Sequence, residues 1–283
     1  MTSIAETLRN ARTVLADSGI AACGRDSSSL LTLALNKDAT FLIAHPEYVL
    51  TPEEKTRFDE YLTRRASREP LQYIRGNQEF YGLEFELTPD VLIPRPETEH
   101  LVEAAIDVLK GTRRSRICDV GTGSGCIPVS ILHELPGASG IALDISPEAL
   151  QVAARNANKH GVGDRLGFRE SDLFSALTNE RFDIIVSNPP YVDSADIEHL
   201  QPEVRDFEPI GALTDGADGL SIIERIVREA PEFLKPGGLL LMEIGSGQHE
   251  RVLTMFDPSS WADVATIPDL QAIPRVIKAQ SRP

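Results

Sequence analysis

Four consecutive residues, Asn188-Pro189-Pro190-Tyr191, offer a side-chain amide, an aromatic ring and backbone carbonyls stiffened by two prolines. None of these groups is a strong acid, base or nucleophile. Together they suit the holding of a planar amide or amine, whose N–H groups need well-placed acceptors. The stretch follows Phe182-Asp183-Ile184-Ile185-Val186-Ser187, an apolar, β-branched run that reads as a buried strand. Neither proline has an N–H for a sheet ladder, so the strand ends there. A strand-ending turn with a tyrosine packed beneath it accounts for the same four residues. A second constellation decides between the two readings.

That constellation is Asp119-Val120-Gly121-Thr122-Gly123-Ser124-Gly125, between the apolar run Ile117-Cys118-Asp119-Val120 and a helical stretch from Ser124 to Leu135. Glycines in a strand-to-helix turn let a ligand approach the backbone and the N–H groups of the helix start. Asp144 ends the next apolar run about 20 residues on, where nucleotide sites place a ribose-binding carboxylate. The loop is G-x-G-x-G, not the G-x-G-x-x-G of dinucleotide sites, and an acid stands two residues before it. Asp119 would repel a pyrophosphate and attract a cationic ligand such as a sulfonium, which points to S-adenosylmethionine. Asp172, in Glu170-Ser171-Asp172-Leu173-Phe174 after a third strand, is placed to accept from the adenine amine, with Leu173 or Phe174 against the ring. Capping a short helix is an equal account of Asp172.

Strands alternating with helices must carry these residues. Strands are expected over Ile117–Val120, Ile141–Asp144, Leu166–Arg169, Phe182–Ser187 and Leu239–Ile244, with helices Ser124–Leu135, Pro147–Lys159 and Ile222–Leu234 between them. Such alternation means a parallel sheet covered on both faces, a Rossmann-like α/β fold. Runs near Ala262–Ile267 and Arg275–Lys278 would close the sheet as a C-terminal antiparallel hairpin.

Residues 1–72 read as a small helical bundle. Ile4, Leu8, Ala11, Val14 and Leu15 keep helical spacing; Ser27-Ser28-Ser29 open a second helix; Thr51-Pro52-Glu53-Glu54 starts a third, which carries Phe58, Tyr61 and Leu62 inward and ends near Ser67. The bundle serves either to dock a partner or as structure alone. Residues 73–90 form a linker with two short strands turning at Tyr81-Gly82, and 91–283 the domain with the glycine loop. In Val91-Leu92-Ile93-Pro94-Arg95-Pro96-Glu97-Thr98-Glu99 the prolines fix an extended loop, with Thr98 as cap of the following helix.

The net charge is −15, and residues 1–75, with ten basic and ten acidic side chains, contribute none of it. An acidic catalytic region lacks the basic footprint that phosphate contacts require, so no direct nucleic-acid partner is expected. No apolar run approaches the roughly 20 residues of a membrane span, and no secretory signal is read near the N-terminus. The three cysteines (Cys23, Cys118, Cys126) have no metal-ligand spacing and are expected as buried thiols. A cytoplasmic monomer without a metal is the expectation.

The glycine loop, Asp144, Asn188-Pro189-Pro190-Tyr191 and the stretches Gly76-Asn77-Gln78-Glu79-Phe80-Tyr81-Gly82 and Ile93-Pro94-Arg95-Pro96-Glu97-Thr98-Glu99 resemble the PrmC/HemK family. These are protein-(glutamine-N5) methyltransferases acting on peptide chain release factors at a GGQ-type motif. The glycine loop and Asn-Pro-Pro-Tyr are shared with many methyltransferases; the other two stretches are the specific ones. The resemblance implies a class I S-adenosylmethionine-dependent methyltransferase fold. It also implies cofactor contacts from Gly121, Thr122, Gly123, Ser124, Gly125, Asp144 and Asn188, and a substrate glutamine held by Asn188, Pro189, Pro190 and Tyr191. Where relatives often have an aromatic residue against the adenine, this chain has Leu173, an apolar wall at best.

An amide nitrogen is a poor nucleophile because its lone pair is delocalised into the carbonyl. The Asn188 side-chain oxygen and the Pro189 carbonyl can accept its N–H groups and turn that lone pair toward the methyl carbon, with Tyr191 against the amide plane. Asn188, Pro189 and Tyr191 are therefore the expected catalytic residues. An adenine or guanine amino-methyltransferase of DNA or RNA would use the same acceptors and is the main alternative. A dinucleotide oxidoreductase is disfavoured by Asp119, and a cofactor-sensing module has no need of an amide clamp.

Overall fold

The computed structural model describes residues 2–282. The chain forms two units: one runs to Asn77 and takes in Gln201–Phe207, and the other holds Gln78–Leu200 and the chain from Glu208 onward.

The first unit is helical: α1 (Ile4–Asp17), α2 (Cys23–Leu35), α3 (Ala39–Ala44), α4 (Pro52–Ala66) and α5 (Leu71–Arg75). Ile4, Leu15, Leu30, Leu31 and Phe58 are its fully buried centre. The start of α4 is as expected: Thr51 accepts from the Glu54 amide while the Glu54 side chain accepts from that of Thr51. The serine triplet does not open α2. Ser27 and Ser28 lie inside the helix and donate to the carbonyls of Cys23 and Gly24 one turn back, the alternative a hydroxyl has when no free helix end is near. α3 and α5 lie where the sequence reads as loop and linker, because helices this short leave little periodicity. The bundle is not purely apolar. Buried Arg65 bridges Asp26 at 2.8 Å and Glu203 at 2.9 Å, and Arg68 also reaches Glu203, so segment 201–207 is pinned by charge-assisted hydrogen bonds.

After Asn77, the first residue of β1 (Asn77–Phe80), the second unit continues that strand and pairs it with β2 (Leu83–Glu86) in a hairpin turning at Tyr81 and Gly82, both with positive φ as a tight two-residue turn requires. There follow α6 (Glu99–Leu109), β3 (Arg116–Val120), α7 (Cys126–Glu134), β4 (Ser139–Asp144), α8 (Pro147–Lys159), β5 (Leu166–Glu170), β6 (Phe182–Ser187), and α9 (Pro202–Arg205), which lies in the segment assigned to the first unit. The chain ends with α10 (Ile210–Leu213), α11 (Ser221–Glu229), β7 (Leu234–Glu243), α12 (His249–Leu253), β8 (Trp261–Pro268) and β9 (Pro274–Ser281). The sheet order is β5-β4-β3-β6-β7-β9-β8. The first five strands are parallel, and β9 joins antiparallel between β7 and β8, closing the sheet as expected.

Alternate residues of the central strands supply two cores. Cys118, Val120, Ile185 and Met242 pack with α11 on one face, and Ile117, Ile184, Val186 and Leu241 pack with α6 and α7 on the other. Two boundaries differ from the sequence reading. The helix before β7 stops at Glu229 and tightens to a 3-10 turn over Ala230–Phe233, and β7 begins at Leu234 instead of Leu239. Pro236, Gly237 and Gly238 read as breakers, but a register shift opposite Phe182 and Ile184 absorbs them. Of the three free thiols, Cys118 and Cys126 are buried as expected, and Cys23 is only half-buried. No described helix is long and apolar enough to cross a membrane, and no metal-binding cluster occurs among the described residues.

Candidate active site

The strand order reverses between β3 and β6, where sheets of this kind leave a crevice at their carboxyl ends. A cavity of about 540 Å³ lies there, lined by Gly121–Ser124, Asp144, Asp172, Leu173 and Asn188–Pro190 among others. The size suits a nucleotide-sized ligand. The parallel sheet thus brings together, from the ends of four strands (β3, β4, β5 and β6), groups that lie far apart in the sequence.

The glycine loop is held from behind. The amides of Gly121 and Thr122 both donate to the Leu143 carbonyl, at 2.8 and 2.9 Å. Asp144 accepts from the amides of Gly123 at 2.8 Å and Ser146 at 2.9 Å. Burial raises its pKa, and these amide donors oppose the rise. Gly121, Gly123 and Gly125 have φ of +74°, +53° and +78°, so α7 cannot begin before Cys126, two residues later than the sequence suggests. The three glycines do different work. A Cβ on Gly121 or Gly123 would meet open space, whereas one on Gly125 would lie 2.9 Å from the Ala153 Cβ of α8. The first two let a ligand come close to the backbone, and the third lets two helices approach. Gly125→Ala is therefore expected to lower the stability of the apo protein by about 2–4 kcal/mol, through left-handed strain plus overpacking. Gly121→Ala should show the strain alone. Thermal denaturation of the two variants checks the difference, and equal melting temperatures would refute it.

Asp119 is fully buried one residue behind the cavity wall, with neither carboxylate oxygen hydrogen-bonded. Burial pushes its pKa up to about 7; the nearby Thr122 hydroxyl opposes the rise and the Asp144 charge adds to it. An unpartnered buried carboxylate fits a cationic ligand, which would favour its ionised form.

Asp172 lines the cavity, but half-exposed it forms a 3.0 Å ion pair with Arg225, and no helix follows for it to cap. Of the two candidate wall residues, Leu173 faces the cavity, in the left-handed region with φ +49°. The Ser171 hydroxyl donates to its carbonyl at 2.6 Å. Phe174 is buried and stacks on Phe233 in the core.

Asn188, Pro189 and Pro190 are part of the wall, whereas Tyr191 is not. The ring packs against the core on the α11 face, and its hydroxyl donates to Glu243 Oε1 at 3.2 Å. The Tyr191 carbonyl accepts from Gln248 at 2.9 Å. Thr98 departs from expectation. Its side chain makes no cap bond to α6 and instead accepts from Asn188 Nδ2 at 3.2 Å, which leaves Asn188 Oδ1 to accept from a ligand. Arg95, on the cavity wall, pairs with buried Glu208, whose other oxygen accepts from the Ile93 amide at 3.1 Å. That pair explains why an arginine stands between the two prolines.

Three supporting residues escaped sequence reasoning: Glu208, Glu243 and Asn156. Asn156, fully buried on α8, donates to the carbonyls of Ser124 and Glu86 and accepts from the Glu86 amide, joining the glycine loop to the hairpin. A polar residue in the buried stripe of an amphipathic helix was the available signal.

The chain matches two family models, the PrmC N-terminal domain over residues 6–76 and the methyltransferase small domain over 99–201. It is 44% identical over 275 residues to the release factor glutamine methyltransferase of Geobacter sulfurreducens, covering 97% of this chain and 95% of that one. With the release factor glutamine methyltransferase of Koribacter versatilis it shares 47% over 249 residues, 88% of each chain. Among solved structures, the T. thermophilus 16S rRNA N2 G1207 methyltransferase in complex with AdoMet and guanosine matches with TM-score 0.54 at 21% identity, over 73% of this chain and 50% of that one. The hMettl16 catalytic domain bound to the MAT2A 3′UTR hairpin 6 matches with TM-score 0.56 at 17% identity, over 81% of each. At such identities the likeness is one of fold, here the class I methyltransferase sheet.

Proposed function

The chain belongs to the release factor glutamine methyltransferases, and on that premise we propose that it transfers a methyl group from S-adenosylmethionine to the side-chain amide nitrogen of a glutamine in a peptide chain release factor. One observation of the molecule carries the reading: the glycine loop and the Asn188-Pro189-Pro190 acceptors face one cavity. The residues fit the cofactor. Gly121 and Gly123 expose backbone to open space, Asp144 stands at the strand end for the ribose, and buried Asp119 favours positive charge. Asp172 can serve the adenine amine only by sharing its carboxylate with Arg225; Leu173 supplies the apolar wall. When bound, the cofactor supplies an electrophilic methyl with an excellent leaving group.

The chain's own task is then positioning. Asn188 Oδ1 and the Pro189 carbonyl accept the two N–H groups of the amide, which fixes its plane and directs the nitrogen lone pair into the cavity. No general base is required while the N–H groups are held by acceptors, because the proton is lost after the nitrogen has become cationic. Acceptor-only groups also discriminate against glutamate, whose carboxylate they repel. Tyr191 acts from outside the wall, anchoring the clamp.

The helical residues 1–72 are the release-factor docking part, joined through the hairpin segment 73–90 to the methyltransferase domain 91–283. The protein works as a cytoplasmic monomer and touches no nucleic acid. Its charge of −15 and a substrate class that belongs to translation support that reading. The RNA-acting neighbours share only the fold, so base methylation gains nothing from them. Incubating the protein with labelled S-adenosylmethionine and full-length release factors, then locating the methyl by peptide mass spectrometry, tests the proposal. Methyl on a glutamine of the release factor is expected; methyl appearing only on nucleic acid would overturn it.

A further inference from the structure

The amide clamp needs its carbonyl aimed as well as its side chain, and two prolines alone do not aim it. Proline fixes φ but leaves ψ free, and ψ of Pro189 sets the direction of its carbonyl. Pro190 confines that angle to the extended range. The remaining play is removed only by anchoring the chain on both sides. On the entry side, β6 ends at Ser187, whose hydroxyl donates to the Val120 carbonyl at 2.7 Å. On the exit side, the Val192 amide donates to the Leu213 carbonyl at 2.9 Å and the Ser194 amide to the Ala217 carbonyl at 2.8 Å. The loop 213–219 thus braces the residues that follow the clamp. Gly219, buried with φ +74°, lies so close that a Cβ there would overlap the Tyr191 carbonyl oxygen.

One side chain organises that brace. Asp215 Oδ1 accepts from the amides of Ala217 at 2.8 Å and Gly219 at 3.0 Å. Its Oδ2 accepts from the Ser221 amide at 2.8 Å and from the Ser221 hydroxyl, at the first turn of α11. A single carboxylate therefore ties the brace to a helix whose Ile223, Ile226 and Val227 are packed in the core. We infer that Asp215 is a positioning residue for methyl transfer, which acts through Ala217 and Gly219 to fix the exit of the clamp and with it the aim of the Pro189 carbonyl. The inference rests on the glutamine reading above, in which that carbonyl accepts one N–H of the substrate amide. Both Asp215 oxygens are taken up by the loop, so the residue acts on the reaction through the backbone and not by contact.

Asp215→Ala is expected to lower kcat for release-factor methylation by about a hundredfold, the cost of misplacing a reacting group by roughly 1 Å, with the release-factor KM and the cofactor Kd within about threefold. Asp215→Asn keeps an acceptor for the Ala217 and Gly219 amides and loses only the Ser221 side. It should therefore recover part of the rate, to within about tenfold of wild type. A pair of single-methyl variants separates aim from stability. Gly219→Ala drives a methyl against the Tyr191 carbonyl, whereas Gly216→Ala, at φ +78° with open space around its Cβ, adds left-handed strain alone. Both should melt lower than wild type, but only Gly219→Ala should lose kcat, by about tenfold or more. Wild-type kcat in Asp215→Ala would overturn the inference, as would a loss that resides in the cofactor Kd or an Asp215→Asn variant no faster than Asp215→Ala. So would a Gly219→Ala variant that turns over as fast as Gly216→Ala, a comparison that decides the matter even where Asp215→Ala does not fold. Wild-type protein in the same assay separates the two claims, since its failure to methylate the glutamine would count against the proposed function itself.

Discussion

Replacing Asn188 by alanine is expected to lower kcat for release-factor methylation by about a thousandfold while leaving the cofactor Kd within about threefold. The size follows from what the residue does. A single preorganised hydrogen-bonding group aimed at developing charge is worth roughly 10²–10³ in rate, and here the same group also sets the attack geometry of a weak nucleophile. Cofactor binding should survive because Gly121, Gly123 and Asp144 lie on other strand ends, and no hydrogen bond links them to Asn188 among the described contacts. The loop should keep its shape, since the prolines restrict it and the Tyr191 carbonyl and hydroxyl are held by Gln248 and Glu243. Asn188→Asp is the sharper companion. It keeps the acceptor and the size but adds a negative charge beside the cavity and removes the donor to Thr98, so recovery of more than a small part of the rate is not expected. Turnover of Asn188→Ala within tenfold of wild type, measured at saturating cofactor, would remove Asn188 from the mechanism.

The acceptor loop and the glycine loop were legible because each is local. A strand end, a turn and a helix start sit within a dozen residues, and the backbone demands of such a turn select glycine and proline at fixed offsets. The hairpin at Tyr81-Gly82 and the capped start of α4 were legible for the same reason. What could not be read are roles created by residues distant in sequence. Thr98 carries every local mark of a helix cap, yet its hydroxyl is claimed by Asn188, which β6 delivers beside it. Glu243 reads as a charged strand end, and nothing near it in sequence announces Tyr191. Glu208 lies in a polar stretch with no periodicity, although it anchors the loop carrying Arg95. Tyr191 lies on the loop that the sequence marks, but its contacts with Glu243 and Gln248 are not legible there, because sequence fixes where a strand stops more firmly than which way the next side chain turns.

Asp119→Asn should move stability and cofactor binding in opposite directions. The sign follows from the pKa. Asp119 is raised from 3.8 to about 7 in the folded protein, chiefly by burial. Between those values the folded state binds more protons than the unfolded one, so apo stability falls as pH rises from about 4 to about 7 and is lowest above that range. At about 1.4 kcal/mol per unit, the ionised carboxylate costs on the order of 4 kcal/mol at pH 8. Asparagine removes the charge. The apo variant is therefore expected to melt several degrees higher than wild type at pH 8, with a smaller difference at pH 5, Glu243 leaving some residual pH dependence. Cofactor binding should suffer for the same reason that stability gains. A cationic ligand favours ionised Asp119, so wild-type affinity should weaken as pH falls below about 7, approaching tenfold per unit. In Asp119→Asn the Kd should rise at least tenfold at pH 8 and lose that slope between pH 5 and 7. Calorimetric titration with S-adenosylmethionine at several pH values, alongside thermal melts of the same samples, reads both halves. A variant that keeps the wild-type Kd and slope would show that the charge behind the glycine loop does not reach the ligand.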